Sequence, residues 1–259
     1  MMRVVKIGGR AQADPRLASA VRAAWGAAPG EMCVVHGGGD EVSAMQRALG
    51  REAAFVGGRR VTSQADLELL RMVLSGVVNK RIVNALVAAG LPAVGVSGED
   101  GGLIGAELID RATLGFAGRP VAVNAHLLRT LLTAGYLPVI SPVGYDATAP
   151  KVGTGGALNV NGDDAAAAIA AALQATELLL IADVGGVHDG EREIVSNLNG
   201  ESARELIANG VAVDGMAAKL ESAQAALLAG VPCVRICDLE GLTENERGTF
   251  ITQSQSVAL

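Results

Sequence analysis

Aromatic residues are nearly missing from this chain. Its 259 residues include one Trp, two Tyr and three Phe, too few to build the stacking platforms that hold single-stranded nucleic acid. Basic residues are also outnumbered, 21 Lys plus Arg against 27 Asp plus Glu, for a formal charge of −6. Without a basic excess the chain lacks the usual means of non-specific nucleic-acid binding, the release of phosphate counterions. Three cysteines, Cys33, Cys233 and Cys237, cannot form a disulfide framework, and no Cys or His cluster joins them into a metal site. Cys233 and Cys237 lie in VPCVRICDL, a strand-like run whose apolar neighbours predict buried thiols. No apolar stretch approaches the roughly 18 residues of a membrane span. MMRVVKIGGR passes straight into a strand-like run without the apolar region of a signal peptide. The expected compartment is the reducing cytoplasm.

What the chain does have is apolar surface and glycine. Half of its residues are hydrophobic and 19% are charged, enough to bury a sizeable core. Its 34 glycines are about twice the usual share of roughly 7%. Short apolar runs, 4–7, 32–35, 93–96, 137–140, 178–181 and 233–236, are hydrophobic on both parities, as strands covered on two faces are. Between them the spacing predicts helices over 15–26, 41–49, 64–75, 79–89, 125–134, 163–173, 202–209 and 216–228. Several end in AAGLP, TAGYLP or LAGVP, where glycine caps the helix and proline follows. This alternation predicts an α/β protein, a three-layer αβα sandwich on an open, mainly parallel central sheet. A hairpin is expected within 98–118 and a loop over 147–156. The whole chain, 1–259, reads as one domain, with a shallow division near 174–177 into lobes of about 1–175 and 176–259.

An open parallel sheet binds its ligand beyond the carboxyl ends of its strands. There VVKIGGR and VVHGGGDE each run from a strand into consecutive glycines and on towards a helix, so that backbone N–H groups can converge on an anion. Either loop alone also fits a tight turn; two together, one with a lysine, point to phosphate. The P-loop signature and the dinucleotide fingerprint G-x-G-x-x-G are both absent. Gly95-Val96-Ser97-Gly98-Glu99 approaches a nucleophile elbow but carries Glu99 at the last glycine position. The only histidines to serve Ser97 are His36, His126 and His188. LNVNGDDA offers Asn161 as a helix N-cap with Asp163 and Asp164 in the first turn, and Asn159 two residues earlier on the same side of an extended segment. Lys219 begins an otherwise apolar helix, where a solvated lysine is the ordinary expectation.

VKIGG, VVHGGGDEVS, GRRVTSQADLELLRMVLSGVVNKRIV, SGEDGGLIGA, YLPVISPVG, LNVNGDDAA, LLIADVGGVHDG, GVAVDGMAAKLESAQAAL and GTFI, in this order, resemble the acetylglutamate kinases of the amino-acid kinase superfamily. The blocks span essentially the whole chain. The resemblance implies phosphorylation of the γ-carboxylate of N-acetyl-L-glutamate by ATP with Mg²⁺, in arginine synthesis. It implies an acyl-amino-acid site in the first lobe and a nucleotide site in the second. Lys6 and Lys219 match the family's transition-state lysines, and Asp163 the aspartate that holds them. Gly38 and Gly39 match glycines that receive the substrate carboxylate, Arg60 the arginine that clamps the α-carboxylate, and Asn159 the asparagine that binds the acetamido acid. Gly8 and Gly9 line the phosphate path, and Asp183 falls in the block that cradles the nucleotide. No protein metal ligand is expected, and the implied assembly is a homodimer.

The chemistry fits such a site. A carboxylate acceptor, with a reference pKa of about 4.3, is already ionised at neutral pH, so no general base is required. What is required is positioning and positive charge: lysines, loop amides and a cation that keeps its waters and phosphate oxygens. Departures from the family pattern are Gly162 where alanine is commoner, Glu99 where lysine is frequent, and the longer loop at 147–156. The N-terminal extension of arginine-inhibited hexamers does not precede Lys6, which implies insensitivity to arginine. Two other readings remain open: a sister kinase for aminoadipate or glutamate held on a carrier protein, which would call for a basic rim, and a non-catalytic sensor, which would not need Lys6, Asp163 and Lys219 together.

Overall fold

Each apolar run becomes a strand in the computed structural model, which describes residues 1–149 and 156–253. The strands are β1 (Arg3–Ile7), β2 (Met32–His36), β3 (Phe55–Val56), β4 (Arg59–Arg60), β5 (Ala93–Gly98), β6 (Ile104–Leu108), β7 (Ala117–Val123), β8 (Leu137–Asp146), β9 (Ala157–Val160), β10 (Glu177–Ile181), β11 (Asn197–Asn199), β12 (Cys233–Cys237) and β13 (Thr249–Thr252). The α-helices are α1 (Leu17–Ala27), α2 (Gly39–Ala48), α3 (Gln64–Arg71), α4 (Asn79–Ala88), α5 (Arg111–Leu114), α6 (Ala125–Thr133), α7 (Gly162–Leu173), α8 (Gly200–Ala208) and α9 (Asp214–Leu228). Strands β5, β8, β2, β1, β10 and β12 lie side by side in parallel and form the heart of an eleven-stranded sheet. Antiparallel β6–β7, β8–β9 and β12–β13 pairs extend it.

Alternation along the central strands divides the core into two layers. Val4, Cys33, Leu178 and Leu180 pack with the alanines of α7 and with Leu220 and Ala223 of α9. Val5, Val34, Leu179 and Ile181 pack on the other face with Leu17, Val42, Leu67 and Ile82 of α1 to α4. The arrangement is the expected αβα sandwich. The predicted glycine caps occur as well: Gly90, Gly135 and Gly230 all have positive φ.

The structure differs from the sequence reading in three places. The chain does not break between 75 and 79; α3 and α4 are joined by a π-helical segment, Met72–Val78, whose wider turns keep Leu74 and Val78 buried. The hairpin expected within 98–118 is formed by β6 and β7 and reaches Val123. Cys33 and Cys237 are buried and their thiols are pushed up to about 12 by burial, but Cys233, at the start of its strand, is only partly covered. The 147–156 loop falls mostly on residues 150–155, outside the described residues.

The β3–β4 hairpin stands apart as its own two-stranded sheet. Its base is tied down at Thr62, whose N–H donates to Leu114 O (3.0 Å) and whose carbonyl accepts from Phe116 N (2.8 Å). Gly115, between these partners, has φ +65°, and a Cβ there would meet Thr62 O at 2.2 Å. Gly115→Ala should therefore cost about 3 kcal/mol, from left-handed strain plus displacement of the Thr62 backbone. Gly135→Ala, also at positive φ but in open space, should cost only about 1 kcal/mol. Thermal melts compare the two, and equal losses would refute the close approach at Thr62.

Candidate functional site

The parallel strands deliver their ends to one place. In register, Lys6 of β1 lies beside Val35 of β2 and Leu180 of β10, one residue before all three strands give way to loops or strand ends. A cleft of about 200 Å³ opens there. It is lined by Lys6, Gly8, Gly9, Gly38, Gly39, Arg60, Asn159 and Asp163, eight of the ten residues singled out from the sequence.

Asp163 joins the two lysines. It opens α7, where Asn161 caps the helix by accepting from the N–H of Asp163 (2.8 Å) and of Asp164 (3.3 Å). Lys6 Nζ lies 2.9 Å from Asp163 Oδ1. Lys219 Nζ, arriving from α9, lies 3.0 Å from Oδ2 and 3.2 Å from Oδ1. All three side chains are nearly out of solvent, with 9%, 13% and 8% of their surface exposed. Lys219 is thus not the solvated lysine its helix suggests. Burial alone would raise the Asp163 carboxyl, but the two ammonium groups overcome it and hold the group down to about 2. Lys219 is brought down to about 8, by burial first and the nearby Lys6 charge second, against the pull of Asp163. Two ammonium groups share one carboxylate, so the cluster keeps a net positive charge.

The glycines leave room for this cluster. A Cβ on Gly8 would stand 2.5 Å from Lys6 Nζ, and one on Gly162 would stand 3.2 Å from Lys6 Cε. At Gly38 a side chain would meet Leu74 Cδ2 at 2.5 Å, so the π-helical segment presses directly on the loop that opens α2. His36, fully buried at the end of β2, braces the same loop: its Nδ1 lies 2.6 Å from Gly37 O and its Nε2 3.1 Å from Asn79 Nδ2. With a carbonyl on one side, the neutral ring donates from Nδ1 and accepts from Asn79. Burial lowers this histidine to about 4.

Arg60 sits on the far wall, buried, with Nη1 donating to Gln46 Oε1 (2.6 Å) and Nη2 to Gly39 O (2.8 Å) and Ser43 Oγ (2.9 Å). Its guanidinium stacks 4.7 Å over the Phe55 ring. Asn159 points to the same wall and donates to Thr62 Oγ1 at 2.9 Å. Asp183 takes a different position. It follows β10 and lines a neighbouring crevice with Asp14, Arg16 and Asp238, and a Cβ on Gly9 would lie 2.8 Å from its carboxylate oxygens. Ser97 donates to Asp100 rather than approaching a histidine, which removes the hydrolase reading.

Several participants were not singled out from the sequence as site residues. Arg59 donates through Nη1 to Asp164 Oδ2, and Ser222 Oγ donates to Asp164 Oδ1 at 2.7 Å. Gln46 joins Arg60 to Asp66, which also closes the capping box at Ser63. Adjacency was the available signal, since Arg59 precedes Arg60 and Asp164 follows Asp163. Glu99, the departure noted above, forms a two-bond pair with Arg71. Of the cations lining the cleft, Lys6 and Arg59 are ion-paired and Arg60 is buried, which leaves these three unavailable as a basic rim.

Residues 1–238 match the amino acid kinase family. This chain belongs to that family. It is 44% identical over 230 residues to the acetylglutamate kinase of Cereibacter sphaeroides, covering 86% of this chain and 76% of that one. It is 45% identical over 207 residues to the acetylglutamate kinase of Geobacillus stearothermophilus, covering 80% and 77%. Among solved structures, smu.665 from Streptococcus mutans UA159 superposes with a TM-score of 0.85 at 29% identity, covering 97% and 98% of the two chains.

The cluster makes a prediction of opposite signs. NMR titration of the Lys219 ammonium should give a value near 8. Lys6→Met, which removes a like charge, should raise it, whereas Asp163→Asn, which removes the counter-charge, should lower it further. Shifts in the same direction in both variants would contradict the shared-carboxylate geometry.

Proposed function

We propose that the protein phosphorylates the γ-carboxylate of N-acetyl-L-glutamate with MgATP, giving N-acetyl-L-glutamyl 5-phosphate and ADP, a step of arginine biosynthesis. The observation that carries this reading is one buried aspartate held by two lysines at the strand ends, in a chain 44–45% identical to curated acetylglutamate kinases. A γ-carboxylate oxygen attacks the γ-phosphorus while the bond to the bridging oxygen breaks, and the electron pair leaves with ADP. No proton has to move. Lys6 and Lys219 face the oxygens of the phosphoryl group and balance the charge that builds there, and Asp163 keeps both ammonium groups in place. Gly38 and Gly39 receive the reacting carboxylate at the start of α2, where backbone N–H groups and the helix dipole favour an anion. Arg60 and Asn159 hold the rest of the acyl amino acid. Gly8, Gly9 and Asp183 serve the nucleotide side.

A Mg²⁺ carried by ATP would neutralise phosphate charge and would need few ligands from the protein. Among the described residues no group of three or more His, Cys, Asp or Glu could enclose a cation, and the donor set suits a cation carried by the nucleotide. The first lobe, to about residue 175, takes the acyl amino acid, and the second takes ATP, with β1 between them. The reading further assigns the enzyme to the cytoplasm as a homodimer, consistent with Met72, Val77 and Val87 standing exposed along the rod from α3 to α4.

An assay of ADP release, comparing acetylglutamate with glutamate and aminoadipate, tests the activity, and preference for either unacetylated acid would overturn it. Lys6→Ala and Lys219→Ala should each lower kcat by about 10²–10³, the usual effect of removing one preorganised charge. Arg60→Lys should raise the acetylglutamate KM far more than the ATP KM, because lysine cannot make a planar two-point contact. Equal effects on both substrates would remove Arg60 from the acyl site.

The pH profile adds a second check. Lys219 is charged below about 8 in the free protein and loses its proton above it. The kcat/KM for ATP reports the free enzyme and should therefore fall as pH rises through about 8. Bound triphosphate favours the charged lysine, so the corresponding fall in kcat should come at higher pH. A kcat fall at the same or lower pH would show that the phosphates do not meet Lys219.

A further inference from the structure

The role of Arg59 is not explained by the phosphoryl-transfer chemistry. It neighbours Arg60 in β4, and successive strand residues face opposite ways. Arg60 therefore reaches α2, through Gly39, Ser43 and Gln46, while Arg59 reaches α7, through Asp164. The two arginines fasten one hairpin to both helices whose N-termini border the cleft.

The rest of the hairpin is weakly held. It has no strand partner in the main sheet, and its Phe55 and Val56 are exposed. At its turn, a Cβ on Gly58 would come within 3.7 Å of Ala218 Cβ, so the tip rests on the first turns of α9 with little side-chain packing. Asp164 is fixed from behind by Ser222, which is 3% exposed and donates at 2.7 Å. One carboxylate oxygen is thus held by α9 and the other is left for Arg59. This is a fixed acceptor for a charge-assisted bond in a partly desolvated position.

We propose that Arg59, Asp164 and Ser222 form a latch that keeps the β3–β4 hairpin closed on the cleft and so sets the position of Arg60. Arg59 is then a positioning residue for the carboxylate substrate. The proposal rests on the acetylglutamate reading for its kinetic consequence, but the latch itself is readable without substrate.

The experiment compares Arg59→Met, Asp164→Ala, the double variant and Arg59→Lys with the unaltered protein. In hydrogen exchange without ligand, the amides of residues 54–61 should exchange about tenfold faster in both single variants, with the central strands unchanged. In the ADP-release assay, the acetylglutamate KM should rise about tenfold in each single variant and no further in the double variant. The ATP KM should stay within twofold, and Arg59→Lys, which keeps the charge, should recover part of the affinity. Unchanged exchange at 54–61, additive KM effects, or equal rises in both KM values would overturn the latch. If the unaltered protein released no ADP with acetylglutamate, the functional reading would fail while the exchange measurement still decided the latch.

Discussion

A carboxylate buried between two ammonium groups is the constraint on which the remaining structure depends. Each charge would be costly to bury alone, and the three are tolerable only together. Lys6, Asp163 and Lys219 come from positions far apart in the chain, so their meeting requires β1, α7 and α9 to stand in fixed relation. The parallel sheet provides that relation. β1 lies at its centre, flanked by β2 and β10, and the small side chains of α7 allow the helix to approach closely: Ala165, Ala166, Ala167 and Ala170 are all buried against the sheet side of the core. A bulkier helix would hold Asp163 away from Lys6.

The same constraint explains where glycine is used. Lys6 passes its ammonium group over Gly8 and its stem past Gly162, in space that a methyl group would take. Gly162 is therefore fitted to the path of the lysine. Around the rim the pattern repeats at Gly38, held against Leu74 and Val78 by the π-helical segment. The segment widens the helix at the point where it must touch a bare backbone, and this explains a local irregularity that periodicity could not reveal.

Legibility in the sequence followed the range of the forces involved. The central strands and most helices were readable because burial on two faces leaves unbroken apolar runs and amphipathic spacing leaves its mark locally. β9 was not read as a strand because it is only four residues long, and β6 and β7 were read only as a hairpin without bounds because both carry glycine and are covered unevenly, with Arg119 and Val121 of β7 exposed to solvent. Eight of the ten chosen site residues line one cleft because ordered blocks carry the resemblance, not because any residue type announces itself. Arg59, Asp164 and Ser222 escaped for the opposite reason. Their bonds join residues 105 and 58 positions apart, and each alone looks like an ordinary surface charge or a small helix residue.

The product supplies a reason for the walls of the cleft. An acyl phosphate is prone to hydrolysis, so a site that makes one gains from excluding water as well as from supplying charge. Val42, Leu70, Leu74 and Ile109 line the cleft beside the charged groups, and lower its polarity where the carboxylate and phosphate must meet. That surrounding strengthens a lysine's interaction with a transferring phosphoryl group, and burial, followed by the neighbouring Lys6 charge, is likewise what depresses Lys219 towards neutrality. The two effects share one origin. An environment apolar enough to protect the product would discharge the lysine, and Asp163 is the group that prevents this by holding a negative charge within 3.2 Å of both ammonium groups. The aspartate therefore acts on the electrostatics of the site as much as on its geometry, and a neutral residue of the same shape could supply only the second.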